Sequence, residues 1–360
     1  MSGWLKKKTA MVRVWIMYRV GVIGCGYVSR KWHLPVYRQL KDVEVVAACD
    51  IDRTTVETFA KNFGIEKVFT DYKKLLEEEL EVVDVCLPPH LHAPIAKEVA
   101  ERKLNVIVEK PLALSSNQAE EIIQTCNKNN VKLCAIEDFV FFPMVQKLKS
   151  LVEDGYLGSI ISVNTVIRRG PLESGWRQDP TLSGGPLLED GIHQMMLHVL
   201  FLKKIQAIYA TVHDRLSVDR SIHYQVTLRA RDAIGTMEAC WGLGVPEIYL
   251  ALFGSKYSAK IDVYRNLLFT NDGSNFLWLD AKNLLKRLRY ALKYIFNTRI
   301  RKNKLLPILG HYYQLKDFFE SMKSNSEPAL SGNLVKKGIM LIESAQKSIA
   351  TGQEVKIMNE

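Results

Sequence analysis

The sequence predicts an α/β protein in which an N-terminal doubly wound parallel sheet is followed by an α+β domain with an antiparallel sheet. Three observations carry this. Apolar strand-like runs alternate with helical patterns from residue 18 to about 138. The first of those strands, Tyr18 to Ile23, runs into a Gly24-Cys25-Gly26 turn that opens a helical pattern. Beyond residue 160 strands follow one another with little helix between them, and alternation such as Tyr224, Val226 and Leu228 against polar neighbours fits a sheet with one buried face.

A chain of 360 residues is long enough for two domains and a sizeable core. The boundaries read as an extension over 1–17, a first domain over 18–138 and a second over 139–360. No apolar run approaches the roughly 20 residues needed to span a bilayer. Lys6, Lys7 and Lys8 precede an apolar stretch that Arg13 interrupts, and no small-residue cleavage site follows, so a signal peptide is not expected. Six scattered cysteines form no C-x-x-C pair; several sit in apolar runs, which indicates neither a disulfide framework nor a zinc site and points to a reducing, cytoplasmic compartment.

The formal net charge of +10 resembles a nucleic-acid signature until it is located. Lys282, Lys286, Arg287, Arg289, Lys293, Arg299, Arg301, Lys302 and Lys304 contribute nine charges with no acid between them, leaving the remainder near +1. Leu284, Leu285, Leu288, Leu292, Ile295 and Phe296 fall on one helical stripe of the same segment. A basic amphipathic helix over 282–304 suits peripheral contact with an anionic membrane surface. No base-reading motif accompanies it, so a nucleic-acid partner is not expected.

Along the chain, four strands of the first domain run into chemically useful residues, as ligand sites in open α/β sheets require. Gly24 and Gly26 permit a tight turn and close approach of the backbone to a pyrophosphate at a helix N-terminus; Tyr27 and Val28 complete the turn, and Ser29 stands where a third glycine is usual. Asp50 ends the second strand and can accept hydrogen bonds from ribose hydroxyls while repelling a 2′-phosphate, which favours NAD over NADP. Arg53, just beyond, could hold a phosphate or stack on adenine. Val82 to Leu87 ends in Pro88-Pro89, with His90 and His92 beside the same crevice.

The strand Val106-Ile107-Val108 runs into Glu109-Lys110-Pro111, where Pro111 cannot continue the ladder and Lys110 should project into the crevice. A lysine there can hydrogen-bond the oxygen of an alcohol or carbonyl, with Glu109 keeping it charged. In isolation such a tripeptide is more often a salt-bridged strand end. In the second domain, Pro186 to about Leu202 reads as one helix with proline in its first turn. Glu189 and Asp190 lie four and three residues before His193, close enough to orient the ring and tune it as a general base. A surface helical pair is the plainer reading of these residues taken alone.

Taken together, the Gly24-x-Gly26 turn, Asp50, Pro88-x-x-x-His92, Glu109-Lys110-Pro111, the Gly184-Gly185 to His193 run and Ser348-x-x-Thr351-Gly352 resemble the Gfo/Idh/MocA family, typified by glucose-fructose oxidoreductase and myo-inositol dehydrogenase. The likeness covers nearly the whole chain. It implies a Rossmann domain and a large, mostly antiparallel open sheet commonly used for oligomer contacts, hence a homodimer or homotetramer. It also implies that Lys110 touches the reacting hydroxyl and that His193 is the acid-base residue, with either Glu189 or Asp190 at the family's aspartate position. Leu87-Pro88-Pro89 stands where the family often has Thr-Pro-Asn, so leucine and proline replace threonine and asparagine, and Val140 stands where arginine is common.

The expected activity is reversible oxidation of a secondary hydroxyl on a sugar, sugar nucleotide or cyclitol with NAD as hydride acceptor. Leu87, Pro88, His92 and Glu109 join the glycine turn as candidate cofactor contacts; Arg168, Arg169, Trp176, Arg177 and His311 are candidates for the substrate side. No metal is expected. Two other readings remain open: a non-catalytic binder of NAD or a sugar nucleotide acting as sensor or scaffold, and reduction of an unsaturated or non-sugar substrate on the same fold.

Overall fold

The computed structural model describes residues 17–170, 175–213, 222–242, 247–263, 267–271 and 306–357. Residues 1–16 of the expected extension and the basic segment over 282–304 lie outside them. Six parallel strands, β1 (Tyr18–Ile23), β2 (Val43–Cys49), β3 (Lys67–Phe69), β4 (Val82–Val85), β5 (Asn105–Val108) and β6 (Leu133–Ala135), form the first sheet in the order β3-β2-β1-β4-β5-β6. Val82, Val83, Val85, Val106, Ile107 and Val108 are fully buried, as strands covered by helices on both faces require. The order reverses between β1 and β4. That is the switch point at which the glycine turn after β1 and the strand ends of β4 and β5 face a common crevice.

The covering helices are α1 (Leu34–Tyr37, entered through a π-turn over Ser29–His33), α2 (Arg53–Phe63), α3 (Tyr72–Leu75), α4 (His92–Glu101) and α5 (Ser116–Lys128). Local chemistry sets their starts: Asp52 accepts from the backbone N–H groups of Thr54 and Thr55 at α2, and Ser115 caps α5 through Gln118. Gly64 closes α2 in the left-handed conformation.

After α6 (Pro143–Glu153) comes β7 (Ile160–Arg169), and then three short helices, α7 (Pro180–Ser183), α8 (Gly185–Glu189) and α9 (Gly191–Phe201). The single helix expected over Pro186 to Leu202 is therefore two, divided at Asp190, where φ is −114°. The rest of the second sheet is β8 (Ile205–His213), β9 (Ile222–Ala230), β10 (Ile234–Trp241), β11 (Glu247–Gly254), β12 (Ser258–Asp262), β13 (Leu267–Asn271) and β14 (Val355–Lys356), in the order β13-β12-β11-β7-β10-β9-β8-β14. All pairs are antiparallel except β10 with β7.

One face of this sheet packs on α9 and α11 (Gly332–Thr351); the other carries Tyr209, Ile234, Phe253 and Phe269 exposed. The last helices return to the first domain. Leu315, Phe318 and Phe319 of α10 (Leu306–Ser324) share a core with Tyr18, Val20 and Tyr37, while Ser116 of α5 donates through its backbone N–H and hydroxyl to Glu343 of α11. The linear division at 138 is thus crossed by the C-terminal helices. All six cysteines are free thiols, and no helix among the described residues is long and apolar enough to cross a membrane.

Candidate active site

The glycine turn has the shape its sequence demands. Gly24 sits at φ +96°, and a Cβ there would lie 2.3 Å from the Cys86 carbonyl oxygen, so only glycine fits. A Cβ at Gly26 would meet nothing within 4 Å, which leaves that side of the turn open. Ser29 is fully buried and donates its hydroxyl to the Gly26 carbonyl at 3.2 Å, doing by hydrogen bond what the usual third glycine does by packing. Asp50, at the end of β2, accepts from the Cys25 N–H at 2.8 Å and from the Asp52 N–H at 3.1 Å. The carboxylate therefore stands beside the glycine turn, where a dinucleotide's adenosine ribose would lie. These residues fit an NAD pyrophosphate and ribose. Arg53, in contrast, is exposed and pairs with Glu57 of its own helix at 2.8 Å.

At the end of β5, Lys110 precedes Pro111 through a cis peptide and sends its ammonium across to the second domain. Its Nζ donates to the Glu189 carbonyl at 2.6 Å and to Glu189 Oε2 at 2.8 Å, with Asp190 Oδ1 at 3.5 Å. Burial opposes its charge, but Glu189 and Asp190 outweigh burial and raise its pKa. This corrects the role given to Glu109. That carboxylate turns away: Oε2 accepts the Lys110 backbone N–H at 2.9 Å, and Oε1 meets His33 at 2.8 Å and His311 at 3.4 Å. Burial would raise the Glu109 carboxyl, yet His311 and His33 hold it well below the carboxylate range.

His193 is also not partnered as the spacing suggests. The break at Asp190 turns Glu189 away from the His193 face, and Nδ1 instead meets Glu137 Oε2 at 3.0 Å, with Asp138 Oδ1 at 3.7 Å. Phe139 stacks on the ring with centroids 4.3 Å apart and planes 9° from parallel. No described residue bonds Nε2, which leaves that nitrogen as the one able to take a proton. Burial opposes a charged ring, but Glu137 outweighs it, so the His193 pKa is raised despite repulsion from Lys110. Burial pushes Glu137 up, and His193 only partly reverses this; Glu137 Oε1 is buried without a partner among the described residues.

Glu189 and Asp190 are thus the lysine's acids. Glu189 also accepts from Arg177 Nε at 3.1 Å, and Arg177 lies 4.5 Å over the Trp176 ring. Asp190 accepts from Trp241 Nε1 at 2.9 Å and pairs with Arg169 at 3.4 Å. Burial would raise its carboxyl, but Arg169, Lys110 and His193 hold it well below the usual range. Arg169 and Arg177 therefore reach the Lys110 side of the site.

Three further candidates are placed elsewhere. His92 is fully buried, with Nδ1 2.8 Å from the Pro111 carbonyl and Nε2 2.7 Å from the Leu87 carbonyl. It ties the ends of β4 and β5 together and has no nitrogen left for a cofactor. Arg168 points to the opposite face of β7 from Arg169, as strand alternation requires, and pairs with Glu238 and Glu247 on the open side of the sheet. His311 is buried between Glu109 and Asp138. The residues that sequence reasoning missed, Glu137 and Asp138, lie just past the end of β6. The same strand-end rule that selected Asp50 and Lys110 would have found them.

Comparison with known proteins agrees with the fold. The model of an oxidoreductase family with an NAD-binding Rossmann fold matches residues 18–137, and that of the GFO/IDH/MocA C-terminal domain matches residues 145–260. The chain is 26% identical to myo-inositol 2-dehydrogenase of Thermotoga maritima, over 94% of this chain and 98% of that protein. It is 28% identical to D-glucoside 3-dehydrogenase of Escherichia coli over 73% and 69%, respectively. Among solved structures, the Bordetella pertussis WlbA dehydrogenase in complex with NADH and UDP-GlcNAcA superposes with a TM-score of 0.79 at 18% identity, over 96% of this chain and 99% of that one. Levoglucosan dehydrogenase in complex with NADH gives 0.80 at 18% identity, over 95% and 100%.

Proposed function

The chain belongs to the Gfo/Idh/MocA family of NAD-binding oxidoreductases, and from that premise we propose that it transfers a hydride between nicotinamide and a secondary hydroxyl or carbonyl of a sugar, sugar nucleotide or cyclitol. The observation that carries the proposal is the meeting of Lys110 from the first domain and His193 from the second, near enough for their charges to repel, with the histidine's Nε2 unclaimed by described residues. The names of the relatives, an inositol and a glucoside dehydrogenase, support this substrate class.

NAD bound at the Gly24 turn and Asp50 would supply the hydride acceptor; the protein's task is to hold the substrate carbon close to it. An ammonium has three N–H donors, and Lys110 commits two to Glu189, so the third serves the reacting oxygen. His193 Nε2 takes the hydroxyl proton during oxidation, and Glu137 stabilises the imidazolium that results. Phe139 keeps the ring in plane. Arg169, Trp176 and Arg177 line the substrate side. Asp50 favours NAD over NADP through repulsion of a 2′-phosphate.

A screen of cyclitols, free sugars and sugar nucleotides for NADH formation at 340 nm tests the proposal. We expect one class to stand out; saturable NAD binding with no turnover on any class would favour the sensor reading. A homodimer or homotetramer contacting through Tyr209, Ile234, Phe253 and Phe269 is part of the same proposal, read by light scattering. Peripheral membrane contact through 282–304 is tested by vesicle flotation of the full chain against a deletion of that segment; equal behaviour would end it.

A further inference from the structure

Behind Lys110, three buried groups from separate elements converge on one point. His33, at the end of the π-turn before α1, and His311, on α10, bring Nε2 to the same oxygen, Glu109 Oε1, at 2.8 and 3.4 Å. These three ligand atoms lie within 4.8 Å of one another. Each ring has a carboxylate near its other nitrogen: Asp84 Oδ2 is 2.7 Å from His33 Nδ1, and Asp138 Oδ2 lies 3.6 Å from His311 Nδ1, beyond hydrogen-bond distance. The outer groups are themselves held. Tyr37 donates its hydroxyl to Asp84 at 2.7 Å, and Trp32 stacks on His311 with planes 11° from parallel.

This arrangement has an electrostatic requirement. An ionised carboxylate only accepts, so Asp84 selects the His33 tautomer with a proton on Nδ1, which leaves a lone pair on Nε2. That lone pair would then face an electron-rich carboxylate oxygen. Positive charge at this point relieves the conflict, either as a second proton on His33 or as one divalent ion held by all three groups. A proton on His33 serves only that ring's contacts, whereas a single ion engages all three converging atoms at once. Two imidazoles, one carboxylate and a carboxylate behind each imidazole make a donor set suited to first-row divalent metals.

We propose that His33 Nε2, His311 Nε2 and Glu109 Oε1 form a binding site for a divalent transition-metal ion of the zinc, cobalt or nickel class. The ion joins α10 to the end of β5 and so fixes the strand end from which Lys110 projects. Its role is structural, and no step of the hydride transfer passes through it. The sequence offers no spacing motif because the ligands come from three distant segments, and none of them is a cysteine.

The test uses the full-length untagged protein, stripped with a chelator, dialysed, and titrated with zinc sulfate or cobalt chloride. We expect one equivalent of metal to be retained after desalting, a rise in Tm that saturates at that equivalent, and a cobalt absorption spectrum with nitrogen ligation. His33→Asn and His311→Asn should lose the equivalent and the Tm rise, whereas His213→Asn, at an exposed histidine on β8, should keep both. Retention well below one equivalent by the wild type, or unchanged binding in both ligand variants, would overturn the proposal and leave the cluster a hydrogen-bonded network without metal. Should a variant not fold, metal content and nitrogen ligation in the wild type decide alone. Because every readout is binding, the outcome is independent of whether the hydride-transfer reading holds.

Discussion

His193 and Glu137 set the direction in which the reaction responds to pH. Glu137, Asp138 and Asp190 favour the charged ring; burial and Lys110 oppose it, and the balance leaves its pKa above that of an ordinary histidine. Oxidation needs Nε2 free of its proton, so kcat/KM for oxidation should rise with pH through that raised value, while reduction, which needs the proton, should fall over the same range. Glu137→Gln removes the charge that outweighs burial, so the inflection should move to lower pH. A shift to higher pH would contradict the pairing. At the cofactor end, Asp50→Ala removes the charge that repels a 2′-phosphate. It should narrow the ratio of NAD to NADP affinity by about tenfold, equivalent to about 1.4 kcal/mol, as measured by fluorescence titration.

The elements matter because they aim these side chains. His92 at the start of α4 bridges the carbonyls of Leu87 and Pro111 and so couples the ends of β4 and β5. His92→Ala removes the ring's N–H donor and its packing between the two carbonyls and should cost about 1–3 kcal/mol in denaturant unfolding. It should also lower turnover by loosening Lys110; unchanged stability would show that the bridge is not holding the turn. Gly24→Ala should abolish NAD binding, because φ is +96° and the added carbon would lie 2.3 Å from the Cys86 oxygen. Calorimetric titration with NAD reads this directly.

The division between α8 and α9 shows where periodicity fails. Spacing placed Glu189 and Asp190 with His193, but the chain turns at Asp190, which redirects both acids to Lys110. Helical spacing reports shared faces only while the helix is continuous. By contrast, Gly24, Asp50 and Lys110 were legible because strand ends in a parallel sheet occupy fixed places at the crevice.

Across the whole molecule, both sheets and their order of appearance could be read from pattern, since buried parallel strands and alternating antiparallel ones differ in composition. The return of α10 and α11 onto the first domain could not, because nothing local to 306–357 names its packing partner. That return brings His311 against Glu109 and seats Phe318 and Phe319 in the first domain's core. The same long-range closure sets His193 from the second domain beside Lys110 from the first.

The most direct measurement is single-turnover NADH formation at 340 nm, with NAD affinity determined in parallel, for the wild type, Lys110→Met and His193→Ala. Both variants should bind NAD nearly as the wild type does and reduce it on the order of 10² to 10⁴ times more slowly. Full turnover by both, with NAD binding intact, would contradict the assignment of the amine and the imidazole to the reacting hydroxyl.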